Sequence, residues 1–277
     1  PRLWSKPIHD AVEEANRLVA AGHVELVLTG IFLGAYGQAT ALRRRQSEGD
    51  APIAKLIDAL CTRVPGLRRL RLSSLEPGDL TADLLAALRS HEQVVPHFHL
   101  PLQSGSDTIL HRMNRQYTRD DYLRMLDDVR DAFDRPALTT DIIVGFPGET
   151  AADFDRTLEV VEQARFIHIH AFSFSPRPGT AAARWSGDFV RGPIVNERID
   201  ELNRRAQLHS HVFRQSFVGE EVELLVERPG AEAGNLRHGR CQRYFSVFFD
   251  SEMAREGDFV RVRIDRATPH RTLGTLR

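Results

Sequence analysis

Apolar positions along the first two-thirds of the chain switch repeatedly between two periods. Ile8, Val12, Ala15 and Val19 fall at helical spacing, Gly22 supplies a stop, and 24–29 reads as a buried strand. The pair of patterns returns at once. Ile53, Leu56, Ile57, Leu60 and Val64 predict a helix, and Leu67, Leu70 and Leu72 predict a strand ending in Ser73-Ser74. A helix over 81–89 then precedes a strand over 97–102. Thr118 and Asp121 form a capping box for a helix carrying Tyr122, Met125, Leu126, Val129 and Phe133, followed by a strand over 138–144. Thr150 and Asp153 do the same for a helix with Phe154, Leu158 and Val161, leading to a strand over 166–172. Repeated β-α units predict parallel strands covered by helices. Five strands fall short of the eight of a closed barrel. The expected fold class is therefore α/β, an open, partial parallel β/α barrel.

After Pro176-Arg177-Pro178-Gly179-Thr180 the pattern changes. A long, charged, amphipathic helix is expected over 196–217, and short alternating segments follow over 222–226, 244–249 and 259–264. Gly, Pro and Asn punctuate them, which predicts a small antiparallel β-barrel. The domain boundary falls near 218, giving domains 1–218 and 219–277. A chain of 277 residues, 42% hydrophobic and 27% charged, can hold one large domain plus a small one. No apolar run approaches the roughly 18 residues of a membrane helix. The two cysteines, Cys61 and Cys241, make a disulfide scaffold a poor reading and a reducing cytoplasm the expected compartment. A net charge of −1 provides no global field for nucleic acid, so an RNA site would need local arginine clusters.

In parallel α/β folds, ligands bind beyond the carboxyl ends of the strands. Each expected strand here ends in a polar or glycine-bearing turn: Thr29-Gly30, Ser73-Ser74-Leu75-Glu76-Pro77, Gln103-Ser104-Gly105, Gly145-Phe146-Pro147-Gly148-Glu149, and Ser173-Phe174-Ser175-Pro176. Together they offer hydroxyls, amides and backbone NH groups suited to a polar, adenosine-containing cofactor. Turn geometry alone also favours Gly, Ser and Pro, but Gln103 and Glu76 are not turn formers. His97 with His99, and His168 with His170, each share one strand face. With no acidic partner at ligand spacing in the sequence, they read as satisfied barrel histidines rather than metal ligands.

Three motifs carry a family resemblance. His99-Leu100-Pro101-Leu102-Gln103-Ser104-Gly105-Ser106-Asp107, Met113-Asn114-Arg115-Gln116-Tyr117-Thr118 and Asp141-Ile142-Ile143-Val144-Gly145-Phe146-Pro147-Gly148-Glu149-Thr150, in this order, resemble the radical S-adenosylmethionine methylthiotransferases. The resemblance implies an enzyme that adds a methylthio group to tRNA or a ribosomal protein, using S-adenosylmethionine, a 4Fe–4S cluster, an electron donor and a sulfur source. It implies cofactor contacts at Thr29 and Gly30 (methionine amino group), Gln103 and Ser104 (ribose), and Ile143 and Gly145 (adenine). Ser74, Glu76, Arg115, Asp141 and Phe174 complete the implied set. The family's cluster is held by a CxxxCxxC loop, which this chain does not contain, and neither Cys61 nor Cys241 fits that role. Pro1 to Pro7 resembles the stretch that follows the loop. The expectation is that the first strand, the loop and a preceding domain lie ahead of Pro1, with a cluster-free, non-catalytic RNA-binding paralogue as the alternative. Phe32 stands where the family usually has asparagine.

Ser73-Ser74-Leu75-Glu76-Pro77 resembles the version acting on threonylcarbamoyladenosine beside the tRNA anticodon. Isopentenyladenosine and ribosomal protein S12 are the alternative substrates. The module from Gly219 resembles the RNA-binding barrel called TRAM. By that resemblance Arg237, Arg240, Arg243, Arg261 and Arg263 would meet phosphates of tRNA and Tyr244 would stack on a base. Arg266, Phe245 and Phe248 lie alongside.

Overall fold

The computed structural model describes residues 3–38, 51–228, 234 and 236–277. It divides into two compact units. The first gathers Pro1–Phe98, Val129–Ala137 and His211–Arg277. Its opening elements are α1 (Ile8–Ala20), β1 (Glu25–Leu28), α2 (Pro52–Arg63), β2 (Arg69–Leu72) and α3 (Ala82–Arg89). Pro52 starts α2, where its missing NH costs nothing. The helix buries Ile53, Leu56, Ile57, Leu60 and Cys61 on one face. Thr81 caps α3 by accepting from Leu84 N at 3.2 Å. β1 and β2 pair in parallel from Glu25↔Arg69 to Leu28↔Leu72. Val94 continues the parallel pairing beside Leu70, with Leu70 N donating to Gln93 O at 2.7 Å and Val95 N to Leu70 O at 3.2 Å.

The second unit gathers His99–Asp128 and Leu138–Ser210. The next elements in chain order are β3 (His97–His99), α4 (Asp107–Arg112), α5 (Arg119–Ala132), β4 (Ala137–Val144), α6 (Ala151–Ala164), β5 (His168–Ser173) and α7 (Gly192–Gln215). The sheet order is β3–β4–β5, and β4 and β5 pair in parallel from Thr139↔His168 to Val144↔Ser173. Both expected capping boxes are present. Asp121 Oδ2 accepts from Thr118 N at 2.9 Å, and Asp153 Oδ2 from Thr150 N at 3.0 Å. The strand expected over 97–102 stops at His99. Pro101 has no NH to give, and Leu102 N turns to the Thr140 hydroxyl at 2.9 Å instead of a carbonyl.

The barrel belongs to the first unit. Its strands are β6 (Glu221–Val226), β7 (Arg237–Cys241), β8 (Ser246–Phe249), β9 (Phe259–Ala267) and β10 (Thr272–Leu276), closed in the order β10–β8–β7–β6–β9. Phe217, Leu224, Val226, Cys241, Val247, Phe249, Val262 and Ile264 fill it. Two strands, β7 and β10, go beyond the three segments expected. The barrel is also not wholly antiparallel: β10 runs parallel to β8, with Leu273↔Phe248 and Gly274↔Phe249 in register. Closure removes the free edges that an open sheet would present.

Within this unit a polar seam fixes the barrel against β1 and β2. Arg69, 1% exposed, donates to the carbonyls of Arg240 (3.0 Å) and Glu223 (2.7 Å) and pairs with the carboxylates of Glu25 and Glu223. Burial works against its charge, and the two carboxylates oppose that loss. Arg71 donates to Glu25 at 3.1 Å and to Gln242 O at 3.2 Å. Arg135 makes a two-pronged contact with Glu220 at 2.9 and 2.8 Å.

Candidate functional site

In the second unit the candidate residues gather on the turn after β3. Gln103 is bridged to β4 on both sides, its N donating to Asp141 O at 2.8 Å and its O accepting from Ile143 N at 2.9 Å. Its φ is +64°, a left-handed backbone that costs a residue with a Cβ about 1–2 kcal/mol. Glycine would take this conformation freely, so the glutamine side chain is retained at an energetic cost. Such residues cluster at binding sites.

The turn is clamped from below. Gly105 N donates to Thr157 Oγ1 at 2.9 Å, and a Cβ there would stand 2.5 Å from Thr157 Cα. That close approach is why a glycine follows Gln103-Ser104. Ser104 is fully buried, and its hydroxyl accepts from Ser106 N at 3.2 Å. Ser106 Oγ donates to Asp153 Oδ1 at 2.6 Å. Burial works against a charged Asp153, but hydrogen bonds from Ser106 and Thr150 outweigh it and hold the carboxyl below its usual range. One aspartate therefore caps α6 and anchors the glutamine turn.

Gly145 is held by a different clamp. Its N donates at 2.8 Å to Glu149 Oε2, which also accepts from Arg198 Nη1 at 2.5 Å. Burial raises the Glu149 carboxyl above its ordinary value, against the pull of the Gly145 NH and Arg198. Phe174 N donates to Val144 O at 2.8 Å, and its ring packs against Phe146 and Phe189 at 5.2 and 5.6 Å. Arg115 is half-buried just beyond α4, its N bonded to Leu110 O at 2.9 Å. The structure thus brings Gln103, Asp141 and Ile143 together directly. Gly145 and Phe174 lie at the end of the same strands.

Three histidines, His99, His168 and His170, meet on one face of this sheet. His99 Nδ1 lies 3.0 Å from Thr139 Oγ1 and its Nε2 lies 3.3 Å from Asp141 Oδ2. His170 stands opposite Asp141 in register, with its ring 5.7 Å from that of His99 and 4.3 Å from that of His168. Burial, then the neighbouring His170 and His99, lowers the His168 pKa.

In the first unit Thr29 and Gly30 follow β1, whose Leu28 O accepts from Ser73 N at 2.8 Å. They line a cavity of about 990 Å³ with Leu18, Leu26, Leu28 and Tyr36. Glu76 and Asp79 form a capping box around the 3-10 turn Pro77–Asp79, so the Glu76 carboxylate serves the turn's own backbone. A Cβ at Gly34 would overlap the Asp79 carboxylate at 1.9 Å, so the segment after Thr29-Gly30 and the 73–79 turn pack in direct contact. Ser74 is exposed beside them, and Phe32 is 48% exposed.

The barrel residues divide in two. Tyr244 stacks on His97 at 4.6 Å and lies under the guanidinium groups of Arg71 (4.6 Å) and Arg240 (4.3 Å). Arg240 pairs with Glu227, and Arg243 donates to the carbonyls of Arg135 and Asp134. Those three side chains therefore make contacts inside the chain. Arg237 is half-buried on β7, while Arg261 and Arg263 are exposed on β9, Arg263 pairing with Asp265. Both cysteines are buried, and burial pushes the Cys61 thiol up to about 11 and raises Cys241. Two buried, protonated thiols do not fit a cluster that requires three thiolates. The residues around Gln103, by contrast, fit an adenosine-containing cofactor.

Sequence reasoning missed Thr139, Asp153 and Arg198 as supporting groups. Glu149 was visible as the end of a glycine-rich turn, but its partner lies 49 positions away.

A family model of the Radical SAM superfamily matches residues 1–161, and one of the TRAM domain matches 215–276. The threonylcarbamoyladenosine tRNA methylthiotransferase MtaB of Thermotoga maritima is 41% identical over 226 residues, 82% of this chain and 50% of that protein. The tRNA-2-methylthio-N(6)-dimethylallyladenosine synthase of Paracoccus denitrificans is 36% identical over 278 residues, 98% of this chain and 59% of that one. The chain spans about half the length of the curated relatives it matches. Among solved structures, coproporphyrinogen III oxidase of Escherichia coli superposes with a TM-score of 0.52 at 14% identity, over 94% of this chain and 62% of that one, a likeness of fold.

Proposed function

The chain belongs to the Radical SAM superfamily and carries a TRAM domain, and from that premise we propose that it forms the cofactor-binding and RNA-binding parts of a tRNA methylthiotransferase. The observation that carries the reading is Gln103, held in a left-handed conformation between two backbone hydrogen bonds to β4 at the carboxyl end of the sheet. S-adenosylmethionine is the cofactor, and when bound it supplies an activated methyl sulfonium. Gln103 and Asp141 meet the ribose, and Ile143 and Gly145 border the adenine. Thr29 and Gly30 receive the methionine end. Glu149 and Arg198 keep the Gly145 turn in place, and Asp153 keeps the Gln103 turn in place. Domains 1–218 and 219–277 divide the work between cofactor and tRNA. The exposed Arg261 and Arg263 of β9, with Arg237, are the phosphate contacts we favour, while Arg240, Arg243 and Tyr244 act through the fold of the barrel.

Threonylcarbamoyladenosine is the favoured substrate. The Ser73-to-Pro77 turn and the Thermotoga relative support it; the Paracoccus relative's name points to the dimethylallyl base instead. The isolated 277-residue chain assembles no four-iron cluster and is inactive alone. Nucleoside mass spectrometry of tRNA from source cells lacking this gene decides the substrate. Loss of the methylthio group from threonylcarbamoyladenosine alone is expected. Loss from the dimethylallyl base alone reassigns the substrate, and unchanged tRNA overturns the reading.

A further inference from the structure

The histidine face of the second unit holds two histidines that the cofactor reading does not use, beside Asp141, which it does. His99 comes from β3, Asp141 from β4 and His170 from β5, and parallel register sets Asp141 opposite His170. One nitrogen of each imidazole and one carboxylate oxygen all lie within 4.8 Å of one another. His99 Nε2 and Asp141 Oδ2 are 3.3 Å apart. Two ligands about 2.0–2.1 Å from one tetrahedral ion are separated by roughly that distance.

The hydrogen bonding around His99 accommodates the same reading. Either Thr139 Oγ1 or His99 Nδ1 can donate across their 3.0 Å contact; in the tautomer in which Nδ1 donates, the Nε2 lone pair faces Asp141. Lone pair and carboxylate then repel unless a positive charge lies between them. A histidine tied by its outer nitrogen and open at its inner one is the usual posture of a metal ligand. His170 is exposed and His99 and Asp141 are partly so, which gives an ion a way in.

The geometry points to a site for a divalent transition metal, bound by His99 Nε2, an imidazole nitrogen of His170 and a carboxylate oxygen of Asp141, with a coordination position left for a further ligand. Two imidazoles and one carboxylate select zinc, iron or cobalt over magnesium and calcium. Asp141 is shared with the proposed cofactor site, so metal and cofactor are linked through it. The metal site does not otherwise depend on the cofactor reading.

The test is titration of the chelator-stripped chain with Co²⁺, followed by its visible ligand-field absorption. One equivalent is expected to bind. His99→Ala and His170→Ala should each weaken binding by about a hundredfold or more, and Thr139→Val by about tenfold. Far-UV circular dichroism checks that each variant is folded. Absence of the cobalt band, or a band unchanged in both histidine variants, overturns the site; a proton shared between His99 and Asp141 would then account for their contact. Gln103→Ala separates the two readings. It should weaken S-adenosylmethionine binding by about tenfold while cobalt binding is unchanged.

Discussion

The seam around Arg69 and the turn around Gln103 solve opposite problems. At the seam, a buried guanidinium has both of its terminal nitrogens engaged by Glu25, Glu223 and two backbone carbonyls. At the turn, a polar residue is kept in a conformation that opposes it, by β4 on one side and the Gly105–Thr157 contact on the other. The first arrangement spends its chemistry on holding the barrel in place. The second accepts strain at a single buried polar residue, Gln103, at the end of the sheet.

The largest effect should come from breaking the seam. Arg69→Ala leaves two buried carbonyls without this donor, while Glu25 keeps Arg71 and Glu223 keeps Arg68, and is expected to lower unfolding free energy by about 3 kcal/mol in denaturant titration. A value below about 1 kcal/mol would show the pairing to be ornamental. Gly105→Ala attacks the support of the turn. The new methyl meets Thr157 backbone, and a loss of about 2 kcal/mol is expected by the same measurement.

Gln103→Gly sharpens the contrast. It removes the backbone penalty, so stability should stay within about 1 kcal/mol of the parent. Calorimetric S-adenosylmethionine affinity should nevertheless fall roughly tenfold, as one hydrogen bond is lost. A destabilised variant with intact affinity would make Gln103 a structural residue. On the barrel, Arg261→Ala should weaken tRNA binding a few-fold and lower its salt slope by about 1. Arg243→Ala should act on stability instead.

The smallest effect lies on α7. Hydrogen bonds from Arg204 and Arg205 hold the Glu201 carboxyl down to about 2, against an ordinary value of 4.5. A depressed value means that the contribution is present above pH 4.5 and is lost as pH falls through about 2. Because the pair is exposed, it amounts to less than about 0.5 kcal/mol. Carbon-detected NMR titration of Glu201 in the parent and Arg204→Ala chains checks this shift.

Much of the frame was legible. Capping boxes are local, so Thr118 with Asp121 and Thr150 with Asp153 could be placed from three-residue spacing alone. The parallel strands were legible because their apolar runs are short and regularly spaced. β7 was not, because Arg237-His238-Gly239-Arg240-Cys241 has neither apolar alternation nor β-branched residues, and closure of the barrel supplies what propensity does not. The Gln103 turn could be recognised, whereas its left-handed backbone could not. The roles of Arg69, Arg240 and Arg243 were hidden for a further reason: an arginine reads as a surface charge until its distant carbonyl partners are known. Asp141 illustrates the same limit. It is 42 positions from His99 and 29 from His170 in the sequence, yet neighbouring strands place the three side by side.

The first unit joins the stretch up to Phe98 to the stretch from His211 onward, and Arg69 finds its carbonyl partner at Glu223, 154 positions later. Contacts of such separation slow folding, since a long loop must close before they are rewarded. During synthesis, Arg69, Arg71 and Glu25 leave the ribosome well before the barrel that will cover them. Until the barrel's strands emerge the nascent chain carries a half-finished charged surface, and β10 is the last of the five to appear. Chaperone occupancy on ribosomes stalled at successive lengths should remain high until that strand has emerged.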